Sequence, residues 1–243
     1  MKILSIDWDY FIDASLSERM RMFPDGGTEN VPLFVQNIIW SSHYKDGVEQ
    51  IGIKEKEYEQ IKKKLSNSFE SVMIADSHKH IYDFIQHETF GKIEIVNIDF
   101  HHDLYGYKEK HRTDVDCGNW ASKLFENGNC QYTWVKQSDS DDVLHVDLLK
   151  SIEVKEFDDI LDEEYDLVYI CRSGMWSPPH LDKFFLELCQ PLLEQEEFPV
   201  RYELNVMENR YTDEFKKMVE DQKKMYQEMK NKMKEKQDVE KCR

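Results

Sequence analysis

Apolar residues gather along the chain in short runs, and the runs are of two kinds. Residues 2–6, 72–75, 93–98 and 167–171 are rich in Ile, Val and Leu and too short for helices, which predicts buried strands. Segments 131–135 and 151–156 predict further strands. In between, apolar residues recur at helical spacing. Tyr58, Ile61 and Leu65 mark a helix over 55–65, and Ile81, Phe84 and Ile85 mark one that follows the second strand. A helix over 119–126 stops at Asn127-Gly128, a C-cap signal, and Pro179 suits the first turn of a helix running to Leu193. Segments 17–22 and 157–161 predict short helices, the first leading into the turn-rich Pro24-Asp25-Gly26-Gly27-Thr28. Segment 31–40 suits a buried helix or a strand, and periodicity does not choose between them. His43 and its neighbours read as a helix end.

Strands alternating with helices predict an α/β fold: a three-layer α/β/α sandwich around a mainly parallel sheet. The pattern places one domain over residues 1–211. From Thr212 onward the composition turns to Lys, Glu, Gln and Met without Gly or Pro. Phe215, Val219, Tyr226, Met229 and Met233 form a sparse stripe there, so 212–243 predicts one long charged helix. It would lie on the body or pair with another subunit, as in a homo-oligomer, since Met is adaptable packing material.

Polar residues cluster where the strands end. Asp99, His101 and Asp103 follow the strand over 93–98; Asp7 and Asp9 close the first strand; Asp76 and His78 follow the strand over 72–75. If the extended conformation persists, a spacing of two puts such groups on one side. In open α/β sheets, sites lie outside the carboxyl ends of the strands. The sequence therefore predicts a cation site among these strand-end acids and histidines. An oxygen-rich donor set with one or two imidazoles suits manganese, and four carboxylates would carry enough charge for two dications. His80 is a weaker ligand candidate, and His87 reads as a surface histidine.

Composition narrows the partners. The net charge of −17 lacks the basic face that nucleic-acid phosphate requires, and it suits a cationic substrate. The five cysteines are odd in number and without CxxC spacing, which argues against a disulfide framework or a zinc knuckle. The chain enters a strand at once, with no signal peptide, and no apolar run reaches the ~20 residues of a membrane span. The expected location is the cytoplasm, with no membrane partner.

The segments S-I-D-W-D, D-S-H and I-D-F-H-H-D resemble the metal-binding segments of the ureohydrolase superfamily, the arginases and agmatinases with their deacetylase relatives. Asp76-Ser77-His78-Lys79-His80, the D-x-H-x-D-L run and Gly118-Asn119-Trp120 are most similar to the divergent branch that includes the peptide arginases. Ser173 with Pro178-Pro179 resembles a loop that borders the pocket in that family. The resemblance implies an arginase-like fold, two Mn²⁺ (one Zn²⁺ being the alternative) and six ligands, Asp7, Asp9, His78, Asp99, His101 and Asp103, with Asp7 and Asp99 bridging. It also implies a substrate: arginine in a peptide, or a small guanidino compound, cleaved to an amine and urea. Two departures stand out. The S-x-D-x-D strand opens the chain instead of following the D-x-H-x-D strand, a permuted strand order that close chain ends allow. Trp120 also follows Gly118-Asn119 where a proton-shuttling histidine is expected. His111, His102 and Asp103 are then the candidate proton donors, and Asp13, Asp114 and Asp116 the candidate partners of a guanidinium. Two alternatives remain: a phosphatase of the haloacid dehalogenase type using the Asp7-Trp8-Asp9 segment, and a non-catalytic metal- or partner-binding protein.

Overall fold

The computed structural model describes residues 1–24, 31–88, 91–107, 114–126, 128, 130–140, 151–195, 199–203 and 205–241. Its centre is a sheet of seven parallel strands: β1 (Lys2–Asp7), β4 (Ser71–Ala75), β5 (Ile93–Asp99), β6 (Cys130–Lys136), β7 (Glu153–Lys155), β8 (Leu167–Cys171) and β9 (Val200–Tyr202). The spatial order is β7-β6-β5-β1-β8-β4-β9. A separate antiparallel pair joins β2 (Ile12–Asp13) to β3 (Gly52–Ile53). β1 therefore lies at the middle, with Leu4 opposite Val96 on one side and Val168 on the other. The chain leaves β1 for β4 on one flank and then crosses to β5 on the other. Connections that diverge in this way leave a crevice at the carboxyl ends of the central strands.

Alternation along the strands divides the core into two layers. Leu4, Ile6, Val96, Ile98, Val168 and Ile170 face one side, against Tyr58, Ile61, Phe185 and Leu188. Ile3, Ile95, Leu167 and Tyr169 face the other, against Ile81, Phe84, Trp120 and Leu124. The first layer takes α2 (Leu33–His43), α3 (Glu55–Lys64), α6 (Asp182–Leu193) and the base of α7 (Asp213–Lys241); the second takes α4 (His80–Glu88) and α5 (Trp120–Glu126). Each fully buried large apolar side chain contributes roughly 1.5–3 kcal/mol. This is the three-layer α/β/α arrangement that the hydrophobic pattern predicts. Segment 31–40, open between helix and strand, is helical, and Trp40 is its buried anchor.

Local chemistry fixes the remaining elements. The short helix α1 (Leu16–Met22) begins at a capping box in which Ser15 and Glu18 exchange hydrogen bonds. Pro179 starts a 3-10 turn, Pro179–Leu181, and the α-helix follows from Asp182. Phe215 and Val219 bury the base of α7 in the first core layer, while Met225, Met229 and Met233 remain exposed. β9 and the β2–β3 pair are too short for their alternation to register in the sequence. The four described cysteines are unbridged. Among the described residues no helix is long and apolar enough to cross a membrane.

Candidate metal centre

The six predicted ligands converge at the carboxyl end of the sheet, though not by continued extension of the strands. β1 ends at Asp7, and a 3-10 turn, Trp8–Phe11, begins at once. Asp7 causes that turn: its Oδ1 accepts from the Asp9 amide at 3.0 Å. After β5, Asp99 acts identically, with Oδ1 accepting from the His101 amide at 2.8 Å. Asp is suited to this role because its short carboxylate reaches the amide two residues on. The same device thus folds both D-x-[D/H] segments over the strand ends. Asp103 sits further along in the left-handed region, with φ at 53°, a conformation that Asp tolerates better than most residues.

Two groups of ligand atoms result, each drawn within 4.8 Å: Asp7, His78 and Asp99, and Asp9, Asp99 and His101. Asp99 belongs to both. In the first group, His78 Nδ1 lies 3.3 Å from Asp7 Oδ2, 3.2 Å from Asp99 Oδ2 and 3.0 Å from Asp103 Oδ2. In the second, His101 Nδ1 is 3.5 Å from Asp9 Oδ2 and 3.9 Å from Asp99 Oδ1. Asp7, named beside Asp99 as a bridging acid, falls in the first group alone.

The surroundings orient these atoms. His78 is delivered by the turn after β4, two strands away from β1, and its ring lies parallel to Tyr169 at a centroid distance of 5.7 Å. Its Nε2 shares a 2.7 Å hydrogen bond with Ser5 Oγ, which leaves Nδ1 directed at the acids. Ser173 donates to Asp7 Oδ2 at 2.6 Å, Asn97 to Asp99 Oδ2 at 3.1 Å, and Trp120 Nε1 to Asp103 Oδ2 at 2.6 Å. Trp120, which stands after Gly118-Asn119 where a shuttle histidine is expected, is therefore a hydrogen-bond donor to a ligand. Supporting partners of this kind fix ligand orientation in metal sites.

The donor set tests well against a metal. Both carboxylate oxygens of Asp9 are buried without a hydrogen-bond partner, and Nδ1 of His78 faces three acid oxygens at 3.0–3.3 Å. Unpartnered buried polar atoms are costly, and a cation would satisfy the Asp9 oxygens. The protons report the same excess of negative charge. Burial and the charge of Asp103 raise Asp99 to about 8. Burial raises Asp103 to about 6, and burial with the Asp7 charge raises Asp9 to about 6. Burial alone would depress His78, but Asp103 with contacts to Asp7 and Asp99 carries it well above its usual range.

Other predicted residues lie elsewhere. His102 alternates away from the ligands: its Nδ1 accepts from the Leu104 amide at 3.0 Å and its ring packs on Tyr105 and Trp134. His111 lies outside the described residues. His80 pairs with Glu203 at 2.8 Å, and His87 is exposed. Asp13 and Asp114 are exposed. Asp116 caps the following turn, accepting from the Gly118 amide at 3.0 Å and from Asn119 Nδ2 at 3.2 Å.

Two features have no counterpart in the sequence reading. The first is Arg19, whose guanidinium is buried with Nη1 3.7 Å from Asp9 Oδ2. The second is a polar network that fixes the loop after β8. Arg210 and Asp182 form a fully buried two-pronged ion pair, with Nη2–Oδ1 at 2.6 Å and Nε–Oδ2 at 2.9 Å. Arg210 also donates to the carbonyls of Gly174 and Ser177. Arg172 holds Asp76 Oδ1 at 2.7 Å, and Trp40 Nε1 holds the Gly174 carbonyl at 2.8 Å. A Cβ on Gly174 would collide with Gln36 Oε1 and lie 2.9 Å from Asp76 Oδ1, so a side chain there would have to displace both ends of this network. The network presents Ser173, at φ 50°, to Asp7 and sets the Trp176 ring 5.1 Å from His101. Comparison of the chain with protein-family profiles, curated proteins and solved structures gives no match.

Proposed function

We propose that this chain is a metal-dependent hydrolase of the ureohydrolase type, cleaving a C–N bond at a planar carbon with two divalent cations. One observation supports it above the others: two ligand groups that share Asp99, buried except at His101, with both oxygens of Asp9 unpartnered. Manganese is the first candidate because the donors are four carboxylates and two imidazoles. When bound, such a pair supplies Lewis acidity and a water whose pKa falls towards neutrality.

The chain's own residues carry the rest. Asp7, Asp103 and His78 hold the first position, Asp9 and His101 the second, and Asp99 serves both. Ser5, Ser173, Asn97 and Trp120 keep these groups oriented through the bonds given above. His101 is the ligand with a path to solvent, its side chain 26 % exposed, so substrate enters over it and Trp176. The proton for the departing nitrogen does not come from His102, which is turned away and bonded to its own loop. Among C–N substrates the sequence resemblance puts the arginine side chain in a peptide first.

Both oxygens of Asp7 accept hydrogen bonds, and a phosphatase that used Asp7 as nucleophile would leave His78 and Asp99 without a role. The test is metal analysis of the purified protein together with product assays. The expected result is two manganese ions per chain and metal-dependent hydrolysis of a C–N bond, with urea formed if arginine is the substrate. Release of phosphate from phosphomonoesters, or a protein that binds metal and turns over no C–N substrate, would overturn the reading.

A further inference from the structure

Beside the second ligand group lies a cavity of ≈ 220 Å³, walled by Leu16, Met20, Phe100, His101 and Trp176. It reaches solvent at Met20, which is 79 % exposed. His101 belongs to cavity and metal centre alike. Its Nδ1 faces Asp9 and Asp99, while its ring centre lies 5.1 Å from those of Phe100 and Trp176. Arg19 also borders the cavity, but its guanidinium is committed elsewhere. Nε and Nη2 donate to the carbonyls of Ala14, Asp9 and Ile12, Nη1 faces Asp9 Oδ2 at 3.7 Å, and the group lies 4.0 Å over the Phe100 ring. The lining left for an occupant is mainly apolar, which favours an apolar group. A dry cavity of about 150 Å³ already accommodates benzene, so this one has room for a phenyl or branched alkyl group.

Its distance from the metal centre decides where in a substrate that group belongs. Cavity and second ligand group share one imidazole as a wall, and groups that touch the same side chain from two sides stand about 7 Å apart. In an extended peptide, residues i and i+2 project to the same side and stand about 6.5 Å apart. Adjacent residues project to opposite sides, so a direct neighbour of the reacting residue points away from the cavity.

We propose that this cavity selects an apolar side chain two residues from the arginine of an extended peptide substrate. The inference rests on the arginine-peptide reading of the metal centre and deepens it, because it names the sequence context that the protein prefers. Substrate that enters over His101 and Trp176 passes the cavity walls on its way, and free arginine has no group to place there. The apolar contact is made before reaction and persists through it. Such uniform binding lowers KM and leaves kcat nearly unchanged.

The test measures urea release by the manganese-loaded full chain from end-blocked pentapeptides. Each has arginine at its centre and glycine elsewhere, save for phenylalanine, glutamate or a further glycine two residues to one side or the other. Free arginine is assayed in parallel. On at least one side, phenylalanine should raise kcat/KM about tenfold or more over glycine, through KM, and glutamate should not. In Met20→Glu the ratio of phenylalanine to glycine peptide should fall to about one. That ratio is internal, so a general loss of rate leaves it readable, and the exposure of Met20 keeps the core out of the experiment. Met20→Lys should turn the preference towards glutamate. Equal kcat/KM for phenylalanine and glycine peptides, a wild-type preference for glutamate, a ratio unchanged in Met20→Glu, or urea from free arginine alone overturns the cavity assignment while the metal-hydrolase reading stands. No manganese uptake, or no urea from any of these compounds, overturns the arginine-hydrolase reading on which the assignment rests.

Discussion

Two sets of buried acids lie at the same end of one sheet, and they are treated in opposite ways. Asp76 and Asp182 are matched by Arg172 and Arg210, and their hydrogen bonds are short and directed. Burial pushes the Asp76 carboxyl up, but the charges of Arg172 and Arg210 hold it below the usual carboxylate range. Asp9, Asp99 and Asp103 are buried like Asp182, more deeply than the half-buried Asp76, and all three are pushed up. The fold can match a buried acid with a guanidinium when the acid serves structure. Beside Asp9 it supplies only Arg19, whose closest nitrogen stands 3.7 Å off. Charge left uncompensated within a protein that compensates it elsewhere fits a site able to hold a cation, as proposed above.

The largest effect should come from the shared acid. Asp99→Asn removes a donor from both ligand groups, so the variant should lose most bound manganese and all measurable hydrolysis; Asp9→Asn should keep one metal. Metal content by mass spectrometry beside the activity assay checks both, and full metal retention in Asp99→Asn would dissolve the contrast between the two acid sets. On the structural side, Arg210→Met strands Asp182 without its cation. A broken buried pair costs about 3–5 kcal/mol, measurable by urea unfolding of the metal-free protein.

The pH dependence of stability sharpens the comparison further. In metal-free protein, Asp9, Asp99 and Asp103 keep their protons to a higher pH than in the unfolded chain, whose carboxyls titrate near ~4. The native state then holds more protons than the unfolded state, and stability falls as pH rises from about 4 to about 8. His78 acts in the same sense, since its raised folded pKa gives stability that is present below ~6.5 and lost as pH climbs through the folded value. The metal-free melting temperature should fall by on the order of 5 °C between pH 5 and pH 8. Ligands that must deprotonate bind metal better at higher pH, so the gap to the manganese-loaded protein should widen over the same range. A flat metal-free profile would mean that the raised carboxyls are not coupled to folding.

The smallest effect is expected at Ser173→Ala. It removes one hydrogen bond to Asp7 and costs about 1 kcal/mol of stability or, equivalently, a severalfold loss of metal affinity. Calorimetric titration with manganese measures it.

Much of this arrangement is legible in the chain. β-branched runs ending in Asp and His identify the strands and narrow the candidate ligands, although Asp76 at the end of β4 pairs with Arg172 instead. The route by which they converge is not legible: Asp7 and Asp99 bend the backbone through their own carboxylates, so same-side placement does not come from pleating. Arg19 hides because it sits in a short polar helix, where arginine is ordinarily a solvated residue. The Asp182–Arg210 pair hides for another reason. Its partners stand 28 residues apart, and no local pattern marks two residues that meet only when α6 packs beneath the segment before α7.

The central position of β1 bears on how the protein is made. It is made before the other strands of this sheet, yet its second neighbour, β8, ends only at Cys171. At about 5–20 residues per second, the apolar strand that carries Asp7 waits roughly ten to thirty seconds with at least one edge open. An unpaired edge is a template for intermolecular pairing. The β8-facing edge of β1 therefore stays open to intermolecular pairing until Cys171 has been made, and a chain halted before residue 171 leaves that edge uncovered.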